Sequence, residues 1–284
     1  MTLFAAEVSS NHNRDIDRAL AFVETAARIG CAAVKFQLFR IDDLFAPEIL
    51  AKSPKLRARA QWELPEHFLP RLAARSREFG IQFACTPFSR RAVDLLEPHV
   101  DFYKIASYEL LWDELLQACA ATGKPVVLAT GMATLDEVVR ATNVLREAGC
   151  PRPMLLHCTS GYPTPVEQCN LAAIETIRRG CRVPVGWSDH SVSPAVIYRA
   201  VHRWGAEMVE FHLDLEGIGA EFSGGHCWLP EPIGNVIEAV QRGFTADGGG
   251  EKTPVDAEVA DRPWRADPAD GLRPMRALRT TWTP

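Results

Sequence analysis

VPVGWSDHS, residues 183–191, and MVEFHLDLE, residues 208–216, decide how this chain folds. Each is a short apolar segment that ends in a histidine flanked by carboxylates. His190 follows Asp189, and His212 stands two residues after Glu210. Between them, residues 194–205 (PAVIYRAVHRWG) carry apolar positions at helical spacing and close on Gly205. That order predicts two parallel strands joined by a helical crossover, with both histidines at the carboxyl ends, where such sheets place ligands. Two imidazoles side by side there make a divalent-metal site with open positions.

The same alternation extends through most of the chain. Apolar strand patterns cover 3–8, 32–36, 81–86, 102–105, 126–130, 154–158, 183–187 and 208–213. Helical patterns cover 15–30, 65–79, 90–97, 110–122, 135–148, 171–179 and 232–242, with a polar excursion over 40–64. Eight strand–helix units in about 245 residues is the size of a closed (β/α)8 TIM barrel. A doubly wound open sheet is the competitor, but it concentrates its polar residues at a switch point, whereas here they follow nearly every strand. Residues 1–247 are therefore read as the barrel. Residues 248–284, rich in Gly, Pro, Asp and Arg, read as an extended tail laid along the barrel or a partner subunit.

Bulk composition narrows the function. A hydrophobic share of 47% with 24% charged residues is that of a globular enzyme, and a net charge of -5 argues against a nucleic-acid surface. An anionic substrate would have to be met by a few local lysines. The eight cysteines are scattered with no C-x-x-C pair, which reads as buried thiols in a reducing compartment. The amino terminus has no basic segment and meets Glu7 at once, and no apolar run is long enough to span a membrane, so a cytoplasmic location is expected.

The polar residues that close the strands form one set: Glu7, Ser9 and Asn11; Lys35 and Gln37; Thr86; Lys104, Ser107 and Glu109; Thr130; Thr159 and Tyr162; Ser188 and His190; Glu210 and His212. Period-2 alternation puts Lys35 with Gln37 and Glu210 with His212 on one face, and Phe36 and Phe211 on the other. Lysines and hydroxyls suit a phosphorylated or carboxylated substrate, and histidines with carboxylates suit a metal or a proton shuttle. A single lysine at a strand end is usually solvated, but two at inner barrel positions point to an anion site. His157 reads equally as a core histidine or a ligand. His67, His99 and His202 read as surface residues, and Trp187 as packing.

With these blocks in view, the chain resembles the sialic acid synthase family, from Ala5 to about Arg242. The matching stretches are AEVSSNHN, AVKFQLF, CTPF, YKIAS with Glu109, KPVVLATGM, LLHCTSGYPTP, VGWSDHS and VEFHLDL, in that order. The resemblance implies a (β/α)8 barrel that condenses phosphoenolpyruvate with an N-acetyl-hexosamine or related aldose to give a nonulosonic acid and phosphate. It implies a divalent metal, Mn2+ or Mg2+, held by His190 and His212. Lys35, Lys104, Thr86, Ser107 and Ser188 would bind phosphoenolpyruvate, and Gln37, Glu109 and Tyr162 the sugar. Glu7, Asp189 and Glu210 would be the catalytic carboxylates, with Glu7 or Asp189 moving the proton of an attacking water. It also implies a homodimer.

Four departures bear on the acceptor more than on phosphoenolpyruvate. The family's basic residue in the eighth strand is Phe211, which alternation turns outward, and a family serine after strand five is Ala129. The family's Gly-Pro-Asp, whose Asp contacts the sugar, is Gly219-Ala220-Glu221, followed by an unusual SGGHCWLP loop in which His226 and Trp228 could reshape the pocket. The family's antifreeze-like carboxyl-terminal domain is not expected in this sequence, and an arginine of the tail, Arg265 or Arg273, could take over its role. A metal-dependent aldolase or lyase acting on a sugar phosphate, or a non-catalytic sugar-binding relative, remain open readings.

Overall fold

The computed structural model describes residues 2–283. Eight parallel strands form the barrel: β1 Leu3–Glu7, β2 Ala33–Leu38, β3 Gln82–Pro87, β4 Phe102–Ile105, β5 Val126–Ala129, β6 Pro153–His157, β7 Val185–Asp189 and β8 Met208–Leu213. They pair in chain order, and β8 closes on β1, with Glu7 opposite His212. A two-residue strand, β9 Cys227–Trp228, adds outside β8 and sets Cys227 beside His212. The expected (β/α)8 barrel is the observed fold.

Helices cover the outside, and sequence explains where several begin. Helix α1 (Ile16–Arg28) is capped by Asp15, whose side chain accepts from the amides of Asp17 and Arg18. Helix α2 is Leu135–Glu147, where Thr134 and Glu137 form a reciprocal capping box. Helix α3 (Pro230–Ala246) is longer than its pattern predicts at both ends. The 40–64 excursion holds short helices, including Pro47–Lys52 and Pro54–Arg57, each started by a proline.

Two cores result. A large one lies between sheet and helices, around Phe22, Phe36, Phe83, Trp187 and Phe211. A smaller one plugs the barrel interior with Ala5, Ala33, Ala84, Phe102, Val127, Leu156 and Met208. The next inward residue along four of those strands is Glu7, Lys35, Lys104 or Glu210, so the apolar plug is the base on which the polar site rests. Gly186 belongs to the same tight interior: a Cβ there would lie 2.3 Å from the Met208 carbonyl oxygen.

Strand β7 starts two residues later than its apolar pattern and runs on through Ser188 and Asp189, which pair with Glu210 and Phe211. Pro184 has no N–H for the ladder, and its carbonyl accepts from Leu155 instead. The described chain divides into one unit up to Phe244 and a second from Thr245. The second, expected to be extended, contains helical turns at Asp256–Val259 and Arg276–Arg279, a Trp264–Trp282 edge contact and Asp270–Arg279 ion pairing. Among the described residues no helix is long and apolar enough to cross a membrane.

Candidate active site

Six strands contribute the floor of the mouth, four of them its charged residues. Lys35 Nζ lies 2.5 Å from Glu7 Oε2 and 3.5 Å from Glu210 Oε2, and Lys104 Nζ lies 3.7 Å from Glu210 Oε1. Lys35 also donates to Thr86 Oγ1 at 3.3 Å, Lys104 to the Ile105 carbonyl at 3.0 Å, and Ser188 Oγ to Glu210 Oε1 at 3.1 Å. Gln37 Nε2 donates to Glu7 Oε1 at 2.8 Å. Glu7 has no exposed surface, and Lys35 and Lys104 are only 4% and 2% exposed. Charges this deep persist only when paired, and here two ammonium groups face two carboxylates.

The floor is electrostatically poised. Burial pulls Lys35 down to about 8, with Glu210 opposing that pull. Burial pushes the Glu210 carboxyl up, but Lys104 and Lys35 override it and hold the group well below the usual carboxylate range. Lys35 thus remains cationic at neutral pH, and both ammonium groups are already offset by carboxylates. An incoming anion would compete for them rather than meet bare charge.

Beside Lys104 is a polar recess with spare hydrogen-bonding capacity. Ser107 Oγ accepts from the Gly131 amide at 3.0 Å and contacts Cys158 Sγ at 3.2 Å. Ser160 Oγ is buried and unpartnered, and so is Glu109 Oε2. Gly131 is required here, because a Cβ would fall 2.3 Å from Ser160 Oγ and 2.8 Å from Ser107 Oγ. Burial raises Glu109 to about 7 against the pull of Lys104. Buried polar atoms left without partners in a cleft are the mark of a place for a ligand.

Above the floor, imidazoles gather around Tyr162. His190 and His212 ring centroids are 5.4 Å apart, His212 and His226 4.7 Å, and Tyr162 stands 4.2 Å from His190 and 5.1 Å from His226. His190 Nδ1 is bonded to the Thr159 carbonyl at 2.9 Å, which leaves Nε2 as its lone-pair nitrogen. Burial drives His190 down to about 3, with His212 adding to it, and lowers His212 as well. Both rings are therefore neutral at physiological pH, the form that ligates metal. A divalent ion suits this donor set.

Glu221 holds the rim together. Its Oε2 lies 3.2 Å from His212 Nδ1 and 3.6 Å from His226 Nε2, its Oε1 accepts from Ser9 Oγ at 2.5 Å, and its amide donates to Asn11 Oδ1 at 2.8 Å. Burial opposes ionisation, but the adjoining His212 and His226 rings hold Glu221 far below the ordinary carboxylate range. Among the described residues, the ligand atoms of His212, Glu221, His226 and Cys227 all lie within 4.8 Å of one another.

The structure brings together Glu7, Lys35, Gln37, Thr86, Lys104, Ser188 and Glu210 at the floor, with His190, His212, Tyr162 and Glu221 at the rim. Ser107 and Glu109 stand at the recess. Asp189 is a correction. It shares the outward parity of Trp187, and its carboxylate accepts from Trp187 Nε1 (3.1 Å), Trp228 Nε1 (2.9 Å), Ser191 Oγ (2.6 Å) and the amides of Ser191 and Val192. A carboxylate so saturated ties β7 to β9 and is not placed to take a proton from a water in the mouth. Trp228 accordingly packs behind the site. Glu221, expected to face the sugar, is turned toward the imidazoles. His157 resolves as a core residue, bonded to the Cys169 carbonyl at 3.0 Å and 5.3 Å from the Trp187 ring.

Sequence reading missed Ser160 and Cys227. Ser160 sits in the HCTSGYP block and had no period to mark it. Cys227 follows His226 directly, but one thiol among eight carries no signal until β9 sets it beside His212.

Comparison with known proteins agrees with the geometry. The model of the NeuB family matches residues 22–252. An uncharacterised protein of Methanocaldococcus jannaschii is 36% identical over 90% of this chain and 75% of its own length. An N,N'-diacetyllegionaminic acid synthase of Legionella pneumophila is 32% identical over 92% of this chain and 78% of its own. Among solved structures, an N-acetylneuraminic acid synthetase from Leptospira borgpetersenii superposes with a TM-score of 0.80 at 28% identity, covering 92% of this chain and 90% of that one. With more than half of its length matched by the family model, the chain belongs to the NeuB family.

Proposed function

We propose that this protein condenses phosphoenolpyruvate with an aldose, an N-acetyl-hexosamine or a related sugar, to form a nonulosonic acid and inorganic phosphate. One observation carries the reading: two buried lysines flank Glu210 beneath the neutral imidazoles of His190 and His212. That arrangement offers an anion seat and an electrophile seat within one mouth.

Lys35, Lys104 and Thr86 would receive the phosphate and carboxylate of phosphoenolpyruvate, with Ser107, Ser160 and Ser188 supplying hydroxyls. Ser160, unpartnered in the free protein, would supply a hydroxyl where Ala129 has none. Tyr162, Gln37 and Glu109 would orient the open-chain sugar. The enol carbon attacks the sugar aldehyde carbon, the carbon–carbon bond forms as the carbonyl π bond breaks, and the aldehyde oxygen takes up a proton to become a hydroxyl. Water then adds to the former C2 of phosphoenolpyruvate and loses a proton, which Glu7, the buried carboxylate beside Lys35, would accept. The tetrahedral adduct expels phosphate by carbon–oxygen cleavage, leaving the 2-keto acid.

A divalent ion, when bound by His190 and His212, would supply Lewis-acid polarisation of the aldehyde. The protein's own part is to keep those rings neutral, fix His190 through the Thr159 carbonyl and position the two substrates.

The test is phosphate release by the purified protein with phosphoenolpyruvate, a panel of N-acetyl-hexosamines and their phosphates, and manganese or magnesium. Release that needs both substrates supports the reading. Sugar turnover without phosphoenolpyruvate would instead indicate an aldolase and overturn it.

A further inference from the structure

We propose that Glu221 and His226 join His212 in a transition-metal centre of this chain's own, taking a late first-row ion such as zinc, iron(II) or cobalt(II) through Glu221 Oε2, His212 Nδ1 and His226 Nε2. Distances carry this inference. Nitrogen and oxygen ligands at 2.0–2.1 Å from a tetrahedral ion lie about 3.3 to 3.4 Å from one another. Glu221 Oε2 lies 3.2 Å from His212 Nδ1 and 3.6 Å from His226 Nε2, values that bracket that edge. As direct hydrogen bonds the same contacts are poor. Charge-assisted N–H···O bonds run near 2.7–2.9 Å, and 3.6 Å is no bond at all.

The surroundings are those of a held ligand. Glu221 Oε1 is fixed by Ser9 and its amide by Asn11, so Oε2 is the oxygen left to face the two rings. Such outer contacts commonly orient metal ligands. His226 is only 8% exposed, its Nδ1 has no hydrogen-bond partner, and its Nε2 faces Glu221 Oε2 at 3.6 Å. A buried imidazole with so little to bond is costly unless something else occupies the gap. Cys227 Sγ lies within the same 4.8 Å group, held toward it by Asn11 Nδ2 at 3.5 Å. Two imidazoles, a carboxylate and a nearby sulfur favour late transition ions over magnesium, which prefers oxygen and water.

This centre draws on the His212 ring that the proposed condensation also gives to its ion. It uses Nδ1 of the His212 ring, whereas a neutral ring offers one lone pair, so an ion here and an ion shared through Nε2 with His190 are competing placements. The first requires His226, and the second requires His190.

The experiment is metal titration of the full-length, chelator-stripped protein with zinc and magnesium, alongside the cobalt(II) absorption spectrum. The native chain should bind one equivalent of zinc roughly 100-fold or more tighter than magnesium. His226→Ala and Glu221→Gln should each weaken zinc about 10- to 100-fold or more, while His190→Ala should change it less than about threefold. Cobalt should give the intense visible bands of a four-coordinate ion. A sulfur-to-cobalt band that vanishes in Cys227→Ser would support the centre with the thiol as fourth donor. Zinc binding that survives His226→Ala and Glu221→Gln but is lost in His190→Ala would overturn the proposal and leave the reading of a condensing enzyme standing. Absence of zinc binding by the native chain would overturn it too. Should His226→Ala fail to fold, the native cobalt spectrum decides, since only weak six-coordinate bands would contradict the centre.

Discussion

The floor and the rim of this mouth are built by different means. Glu7, Lys35, Lys104 and Glu210 are inward residues of four strands, seated on the apolar plug of the barrel and locked by mutual charge. Glu221 and His226 come from the segment between β8 and β9, and its shape is set by side chains from elsewhere. Asp214 accepts from the amides of Gly217, Ile218 and Gly219, and Arg18 pairs with Asp214 and Glu216. Chemistry common to a family can rest on the strands, whereas what distinguishes one member from another can vary in such a loop without disturbing the barrel.

If that division is real, substitutions at the floor should damage stability and activity together, and those at the rim mainly binding. The largest effect is expected for Lys35→Met, which leaves Glu7 and part of Glu210 unpaired. Denaturant unfolding should show a loss of about 3–5 kcal/mol, together with loss of phosphoenolpyruvate binding. Gly186→Ala comes next. Its new methyl meets the Met208 carbonyl and should cost about 1–3 kcal/mol, read from the same curves. At the rim, Ser9→Ala removes one charge-assisted bond to Glu221 and should cost only about 1–2 kcal/mol in stability, leaving the floor's affinity for phosphoenolpyruvate unchanged. Equal damage at rim and floor would erase the distinction.

Two pH effects sharpen it further. Lys35, lowered to about 8, loses its proton as pH rises through that value, so the KM for phosphoenolpyruvate should climb above pH 8 and stay flat between pH 6 and 7.5. Glu109 works in the opposite sense. Its carboxyl is raised from 4.5 to about 7, so the folded protein holds a proton that the unfolded chain releases, and the charged group is a burden above about pH 7. Glu109→Gln should therefore raise stability by about 1 kcal/mol at pH 8 and leave it unchanged at pH 4, as thermal melts would show.

The same division explains what the sequence made legible. Inner and outer faces of strands follow from period-2 alternation, so Lys35, Lys104, Glu210 and the outward Phe211 could be placed from residue order alone. Asp189 was open to the same reasoning, since Trp187 two residues earlier is an outward packing residue. Its place beside His190 suggested a catalytic role that its parity denies. Glu221, His226 and Cys227 had no period to betray them. Their meeting depends on Asn11 and Ser9, more than 200 positions away, and on a two-residue strand too short to leave a pattern.

The central claim is that the paired lysines are the seat of an enol phosphate. A crystal structure of the protein soaked with phosphoenolpyruvate and manganese tests it most directly. The account predicts phosphoenolpyruvate between Lys35 and Lys104, displacing Glu210 contacts and reaching Ser160, with its enol carbon directed toward the imidazoles. Phosphoenolpyruvate bound elsewhere, with the Lys35–Glu7 and Lys104–Glu210 pairs intact beneath an empty floor, would contradict it.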